Sequence, residues 1–144
     1  MLPKYHVILS FLASLILYQF NMNYIFLILF FLSSILIDFD HYLFYVIRKK
    51  NLSLVKAYHY CRYELEDKLK KSGKKQELLI IFHTIESFAF LFILSLVYGL
   101  FWAVFFGSVF HMVLDIIHGS FKKSKKYKRA FSLIYHVLKY KKLA

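Results

Sequence analysis

The stretch that decides the fold is Phe110-His111-Met112-Val113-Leu114-Asp115-Ile116-Ile117-His118, near the end of an apolar run that begins at about Leu100. On a helix, His111, Asp115 and His118 are spaced at i, i+4 and i+7, so the three side chains share one face. Burying an unpaired charge in an apolar medium carries a large free-energy cost. The pattern therefore predicts an apolar helix with one polar stripe whose charged groups need partners.

Two other apolar runs contain polar groups of the same kind. Asp38-Phe39-Asp40-His41 lies within the run from Tyr24 to Ile47, and His83-Thr84-Ile85-Glu86 interrupts the run from Leu78 to Tyr98. A shorter run from His6 to Phe20 precedes them and ends in a polar turn. Together with the run after Leu100, these lengths predict about four transmembrane helices.

The composition favours a membrane protein. The 144 residues are 60% hydrophobic, with a mean hydropathy of +0.53, whereas a soluble domain is closer to half apolar. The single Cys and single Pro exclude a disulfide framework and leave little scope for a cysteine-rich zinc site. Because no internal repeat or low-complexity linker is visible, we expect residues 1–144 to form a single membrane-embedded domain.

The positive charges predict the orientation. The net charge is +12, with 20 Lys and Arg against 8 Asp and Glu. With four spans, every Lys and Arg falls in the N-terminus, the loop 48–77 or the tail after Ile117, all on one side, while the turns near Asn21 and Gly99 are uncharged. The positive-inside rule then predicts a multi-pass protein of the cytoplasmic membrane, with basic loops and both termini cytoplasmic.

Two segments outside the apolar runs are predicted to be amphipathic helices. The first begins at Ser53 or Asn51, continues through Leu69 and breaks at Ser72-Gly73. The second is the basic tail, Lys122–Ala144, which we expect to lie on anionic lipid rather than on nucleic acid, because no nucleic-acid-binding fold accompanies it. The predicted fold class is therefore an all-α, membrane-embedded bundle of about four transmembrane helices plus these two helices.

The polar groups of the last three runs lie at a similar depth near the cytoplasmic side, so we expect them to meet in one site. A lone histidine on an apolar helix is more often a packing residue, but imidazoles and carboxylates repeated on several helices are typical of metal sites in bundles. The ligand set suits a divalent metal, zinc first and manganese or iron as alternatives, with one to three ions. Asp40 points away from Asp38 and His41 on an ideal helix, which predicts either an indirect role or a distorted helix there.

The order and spacing of these motifs resemble those of the YdjM-like family of membrane-bound metal-dependent hydrolases from bacteria and archaea. That family is distantly similar to zinc-dependent phospholipase C and to single-strand nucleases of the same helical fold. The likeness extends from about Ser33 to Gly119. The chain departs from the family pattern at Ile37, where a Pro is common, and at Ile80–Phe82, where an Arg is common. The motifs that carry the likeness are AspXAspHis at Asp38–His41, HisThr at His83 with the following Glu86, and HisXXXAsp at His111–Asp115.

The resemblance implies a metal-dependent hydrolase but does not supply a substrate. Our leading hypothesis is hydrolysis of a phosphoester on a lipid or lipid-linked substrate by metal-activated water. Glu86 is expected to be a general base or a ligand, and Asp40 a second catalytic group or a residue that orients a ligand. Membrane lipids are the expected partners, with anionic headgroups attracted by Lys49, Lys50, Lys122 and Lys123. The expected metal ligands are Asp38, His41, His83, His111, Asp115 and His118.

Two non-catalytic alternatives stay open at this point. One is a metal or proton carrier that uses the polar stripe as a pathway, although the outer halves of the spans offer little polarity beyond Ser95 and a few tyrosines. The other is a membrane-anchored interaction protein in which the polar stripes only hold the helices together.

Overall fold

The computed structural model describes residues 3–64, 81–121, 132 and 134. Every regular element among these residues is helical, which confirms the all-α prediction for them. In chain order the elements are α1 Pro3–Gln19, α2 Tyr24–Leu36, α3 Phe39–Lys49, α4 Leu54–His59, a π-helical turn Tyr60–Glu64, a 3-10 turn Ile81–His83, α5 Ile85–Val97 and α6 Phe101–Phe121.

Two helical stretches are long and apolar enough to cross a membrane. Tyr24–Lys49 has 26 residues with a mean hydropathy of 1.7, and Phe101–His118 has 18 residues with a mean hydropathy of 1.6. Only 28% and 22% of their most apolar windows are buried inside the protein, whereas the core helix of a soluble protein is mostly buried. α5 is a shorter apolar helix. The prediction of four spans and of their orientation stays a prediction.

The predicted second span is interrupted where its acidic residues begin. α2 ends at Leu36, and a tighter turn follows. The Ile37 N–H still donates to the carbonyl four residues back, Ser33, at 3.2 Å, whereas the Asp38 N–H donates to the carbonyl three residues back, Ile35, at 3.2 Å. α3 starts afresh at Phe39. The distorted helix, one of the two alternatives predicted around Asp40, is therefore present.

The described residues fall into two compact units. Unit one comprises residues 3–38 and 86–121, and unit two comprises residues 39–64, 81–85, 132 and 134. The expectation of a single domain over residues 1–144 stays a prediction.

In unit one, α2 packs against both α1 and α6. The α2–α6 contact is closest at Gly107, where an added Cβ would overlap the Ser33 Oγ and the Phe30 carbonyl oxygen. Ala103, one turn earlier on α6, is fully buried. Small residues at such crossings let helix backbones approach closely, as is common in membrane bundles.

Unit one is polar inside and apolar outside. Large apolar side chains such as Ile16, Ile28 and Ile116 are exposed along its helices. This distribution is the reverse of that in a water-soluble domain and favours a bundle surrounded by lipid. The buried polar residues are His6, Ser10, Ser34, Ser95, Ser108, His111 and Asp115, against Leu27, Phe30, Ile37 and Ala103 among the buried apolar ones.

Unit two has a small core of Tyr45, Ala57 and Tyr60. The predicted cap at Ser53 is confirmed, because its Oγ accepts the Lys56 N–H at 3.4 Å and α4 follows directly. α4 passes into the π-helical turn at Tyr60. The rest of the predicted helix to Leu69, its break at Ser72-Gly73, the start of the predicted third span at Leu78 and the predicted helix of the tail lie outside the described residues.

Candidate metal centre

Four ionisable side chains of unit one form what we term the His–Asp cluster: His6, Asp38, His111 and Asp115. His6 comes from α1, Asp38 from the turn that ends α2, and the other two from successive turns of α6. His6 is 1% exposed, His111 0% and Asp115 8%. The Asp38 side chain is 23% exposed and is the most accessible of the four.

The ligand atoms of the cluster converge. His6 Nε2 lies 3.3 Å from Asp115 Oδ1, and His111 Nε2 lies 3.5 Å from Asp38 Oδ1 and 3.9 Å from Asp115 Oδ2. One ligand atom from each of His6, His111 and Asp115 falls within 4.8 Å of the others. Neighbouring ligand atoms on tetrahedral zinc are about 3.3–3.4 Å apart, given bonds of about 2.0–2.1 Å. The ligand atoms are therefore close enough for one ion, although the His6 and His111 rings must turn relative to each other before both can bind it.

The orientation of His111 is fixed by the backbone of α2. Its Nδ1 lies 2.7 Å from the Ser34 carbonyl oxygen, and because a carbonyl only accepts, Nδ1 carries the hydrogen and donates. Nε2 is then the nitrogen that faces Asp38 and Asp115, and in a neutral ring it is the one with a lone pair for a metal. A ring N–H bonded to a backbone carbonyl, with the other nitrogen facing carboxylates, is the usual arrangement of a metal-binding histidine.

The charge balance of the cluster also favours a bound cation. The His6 and His111 rings stack with centroids 3.9 Å apart and planes inclined by 15°, so protonating both rings would place two like charges in contact. Asp38 and Asp115 nevertheless bring two carboxylates to the same place. A divalent ion would neutralise both carboxylates and leave both imidazoles neutral. Buried His and Asp groups that could hold a metal ion are thus present, as the sequence predicted.

Unit two contains a second buried pair, Asp40 and His83, each 4% exposed. Asp40 Oδ2 lies 3.1 Å from His83 Nδ1 and accepts the Phe82 N–H at 3.1 Å. Because the ionised carboxylate only accepts, His83 donates through Nδ1 and keeps Nε2 as its basic nitrogen. The His41 ring lies beside it, with centroids 5.6 Å apart. Asp40 therefore contacts a histidine, and its predicted role in a metal site stays a prediction.

The structure places the predicted site residues in these two groups. Within unit one it brings together Asp38, His111 and Asp115, and within unit two Asp40, His41 and His83. Glu86 lies in the first turn of α5 and His118 in the last turns of α6, and their roles stay predictions. So does the expectation that all three polar stripes form one site.

Sequence reasoning missed His6, which it treated only as the start of an apolar run. A signal was present, because His6 is a titratable residue at the predicted cytoplasmic end of a span, as Asp38 and Asp115 are. It also lies four residues before Ser10, so the two polar side chains share one helix face. The sequence pattern alone could not predict that this face of α1 packs near α6.

Unit two also has a polar cleft of about 330 Å³ beside the end of α3. Lys49 Nζ lies 5.1 Å above the Tyr60 ring centroid, which holds one cation at the cleft. The lining residues are Tyr45, Lys49, Asn51, Lys56, His59, Tyr60 and Glu64.

No protein-family model, curated protein or solved structure matches the chain. The resemblance to the YdjM-like family stays a prediction. The function is therefore argued from the geometry of the site.

Proposed function

We propose that the chain is a multi-pass membrane protein whose His–Asp cluster binds a divalent metal, with zinc as the first choice. We further propose that it hydrolyses a phosphoester of a lipid or lipid-linked substrate. The observation that carries the proposal is the convergence of His6, His111 and Asp115 within 4.8 Å, with His111 held by the Ser34 carbonyl. Such ligand sets, oriented by outer hydrogen bonds, are typical of catalytic metal sites in proteins.

Embedding in a membrane is supported by the polar interior and apolar exterior of unit one. We propose α1 and α5 as the remaining two spans. α1 has 17 residues, which is about the minimum for a crossing. The 20 Lys and Arg residues would then all lie on the cytoplasmic side. On that side, Lys49 and Lys56 line the polar cleft, where they would attract anionic headgroups.

We propose the following roles for individual residues in metal binding and catalysis. His6, His111 and Asp115 hold the ion, and Asp38, the most exposed member, faces the route by which a substrate phosphate enters. When bound, the ion polarises a phosphoryl oxygen and makes a water more acidic. Glu86 is the proposed base. It takes one proton from the water as the water oxygen bonds to phosphorus and the phosphorus–oxygen bond to the leaving group breaks, and it then gives that proton to the leaving oxygen, which departs as an alcohol. His118 is proposed as a further ligand of this ion. The metal-binding roles of His41 and His83, and the role of Asp40, stay predictions for unit two.

The first test is metal content per chain, measured by elemental analysis of protein purified in detergent without chelator. We expect about one to three ions in the wild type and a loss in Asp115→Ala and His111→Ala variants that still unfold cooperatively. His59→Ala, which changes a histidine outside both groups, is the matched control and should keep its metal. Absence of metal in the wild type, even after zinc or manganese is added, would contradict the proposal.

The second test is activity. Phospholipids and polyprenyl phosphates are offered to the protein in mixed micelles, and phosphate or headgroup release is followed with and without a chelator. Release that stops on chelation and returns with zinc supports a hydrolase. Metal binding without release from any of these substrates would contradict the phosphoester assignment.

A metal or proton carrier is the second candidate, and one observation favours it. Ser10, one turn from His6 on α1, is fully buried, so polarity continues beyond the cluster farther than the sequence suggested. Metal uptake by proteoliposomes separates the two functions. Uptake that His111→Ala abolishes, in a protein that hydrolyses nothing, would favour the carrier.

A further inference from the structure

Two buried polar atoms on the same face of α1 make no hydrogen bond within the described residues. They are His6 Nδ1 and Ser10 Oγ, on side chains that are 1% and 0% exposed. Native structures rarely leave buried donors and acceptors unpaired, and most such groups are satisfied by protein or by ordered water. Because these two unpaired atoms lie one turn apart on the same helix, one partner could bond to both.

Ser10 differs from three other serines within the helices of unit one, Ser14, Ser34 and Ser95. The hydroxyls of Ser14, Ser34 and Ser95 each donate to a carbonyl one turn back on their own helix, at 2.7 to 2.9 Å. This is the usual way for a serine to satisfy itself within a helix. Because Ser10 does not use it, its hydroxyl is available to another group.

His6 needs an acceptor at Nδ1 if it binds metal. Its Nε2 is the nitrogen that faces Asp115, at 3.3 Å, so Nε2 would be the ligand atom. A neutral imidazole that binds through Nε2 carries its hydrogen on Nδ1, and that N–H is normally bonded to a carboxylate, a carbonyl or water. His111 uses the Ser34 carbonyl for this purpose. His6 has no corresponding protein acceptor among the residues that the structure describes.

The spacing on α1 suits a single bridging water. Residues at i and i+4 have Cβ atoms about 5–6 Å apart on one helix face. The two polar atoms are not hydrogen-bonded to each other, and a water with two hydrogen bonds of about 2.8 Å joins polar atoms that are about 4.5 Å apart. Such a water would accept from His6 Nδ1–H and donate to Ser10 Oγ.

We propose that an internal water lies between His6 and Ser10, and that Ser10 is a positioning residue for His6 as a metal ligand. This inference rests on the proposed metal centre. It makes the two histidines unequal, because His111 is oriented by a backbone carbonyl that no side-chain substitution removes. His6 is oriented by a water that one hydroxyl holds.

The consequence is measurable as metal affinity. Loss of an outer-shell partner typically lowers metal affinity 10- to 100-fold, and we expect about this loss in Ser10→Ala. Ser10→Thr keeps the hydroxyl and should remain within about threefold of the wild type, since the bridging water keeps its partner. Ser14→Ala is the matched control on the same helix, because its hydroxyl donates to the Ser10 carbonyl.

The experiment is a zinc titration of the full chain in detergent against a competing chromophoric chelator. It is combined with nitrogen NMR of ¹⁵N-histidine-labelled protein, which reports the ring nitrogen that carries hydrogen. We expect weaker binding in Ser10→Ala alone, and a Nδ1–H signal of His6 in the zinc-bound wild type, assigned by its loss in His6→Gln.

Two results would overturn the inference. Equal zinc affinity for Ser10→Ala and Ser14→Ala would show that the Ser10 hydroxyl has no role in zinc binding. If the wild type binds zinc tightly, that result would contradict the water bridge but not the metal centre. A zinc-bound wild type in which the His6 ring carries its hydrogen on Nε2 would also contradict the water bridge but not the metal centre. If the wild type binds no zinc, the metal centre itself fails. If Ser10→Ala does not fold, Ser10→Cys replaces it, and wild-type affinity in that variant would count against the bridge.

Discussion

Replacing Gly107 with alanine should push α6 away from α2. The new Cβ would overlap the Ser33 Oγ, which can rotate, and the Phe30 carbonyl oxygen, which belongs to the helix backbone and cannot move alone. Overpacking of this kind costs about 1–3 kcal/mol, whereas alanine gains about 0.5–1 kcal/mol over glycine inside a helix. The expected net loss in the free energy of unfolding is about 1 kcal/mol.

The same displacement should weaken metal binding. His111 lies one turn after Gly107 on α6, and its 2.7 Å hydrogen bond to the Ser34 carbonyl crosses the same helix contact. If the helices separate, that bond lengthens and the Nε2 of His111 loses its fixed direction. We expect a fall in zinc affinity of about 10-fold, the lower end for loss of an outer-shell partner.

Both effects can be read from one protein preparation. Trp102 is the single tryptophan and stacks on Phe106 within α6, with ring centroids 5.4 Å apart, so its fluorescence reports unfolding of this helix in detergent. Gly99→Ala is the matched control, because nothing lies within 4 Å of an added Cβ there. Adding Ser33→Ala to Gly107→Ala should restore only part of the stability. Wild-type stability and zinc affinity in Gly107→Ala would refute the described packing of α2 against α6.

Four further predictions concern unit two. Burial raises the pKa of the Cys61 thiol to about 11 from an ordinary 9.0. Because the thiolate fraction is smaller, iodoacetamide at pH 8 should alkylate native protein about 100-fold more slowly than denatured protein. Comparable alkylation rates would contradict the burial of this thiol. The same shift disfavours the folded state as the pH rises from about 9 to about 11, and a Cys61→Ser variant should lose less stability than the wild type over that range. Asp40→Asn should lower the melting temperature, since the ionised acceptor shared by His83 and the Phe82 N–H is lost; an unchanged melting temperature in calorimetry would argue against that contact. Ser53→Ala should remove the cap of α4 and cost about 1 kcal/mol, whereas Ser53→Asp should retain it in the same thermal assay.

The sequence was sufficient where local patterns decide the structure. Apolar runs and their polar interruptions predicted helices and the residues that need partners, and Ser53 was recognised as a cap because capping depends on adjacent residues alone. The break between Leu36 and Phe39 was foreseen only as one alternative. No Pro or Gly marks it, but Ser33 and Ser34 lie just before it, and their hydroxyls donate to the carbonyls of Phe30 and Phe31, a pattern that often bends helices.

Long-range pairing was the part that the sequence could not supply. Asp40 meets His83 across 43 positions, and His111 meets the Ser34 carbonyl across 77 positions. Neither separation is periodic, so no local rule predicts them. Gly107 illustrates the same limit, because a glycine within an apolar run shows a close helix contact only when the facing residue is known.

The stacking of His6 on His111 also sets the order of events during biosynthesis. The two rings come from the first and the last described helices, so the ribosome must add about 100 more residues after His6 before its partner exists. At about 5–20 residues per second, that interval is about 5–20 s. Throughout it, the His6 ring lacks the ring on which it stacks. In the proposed metal centre, loading would therefore follow only after α6 has been synthesised.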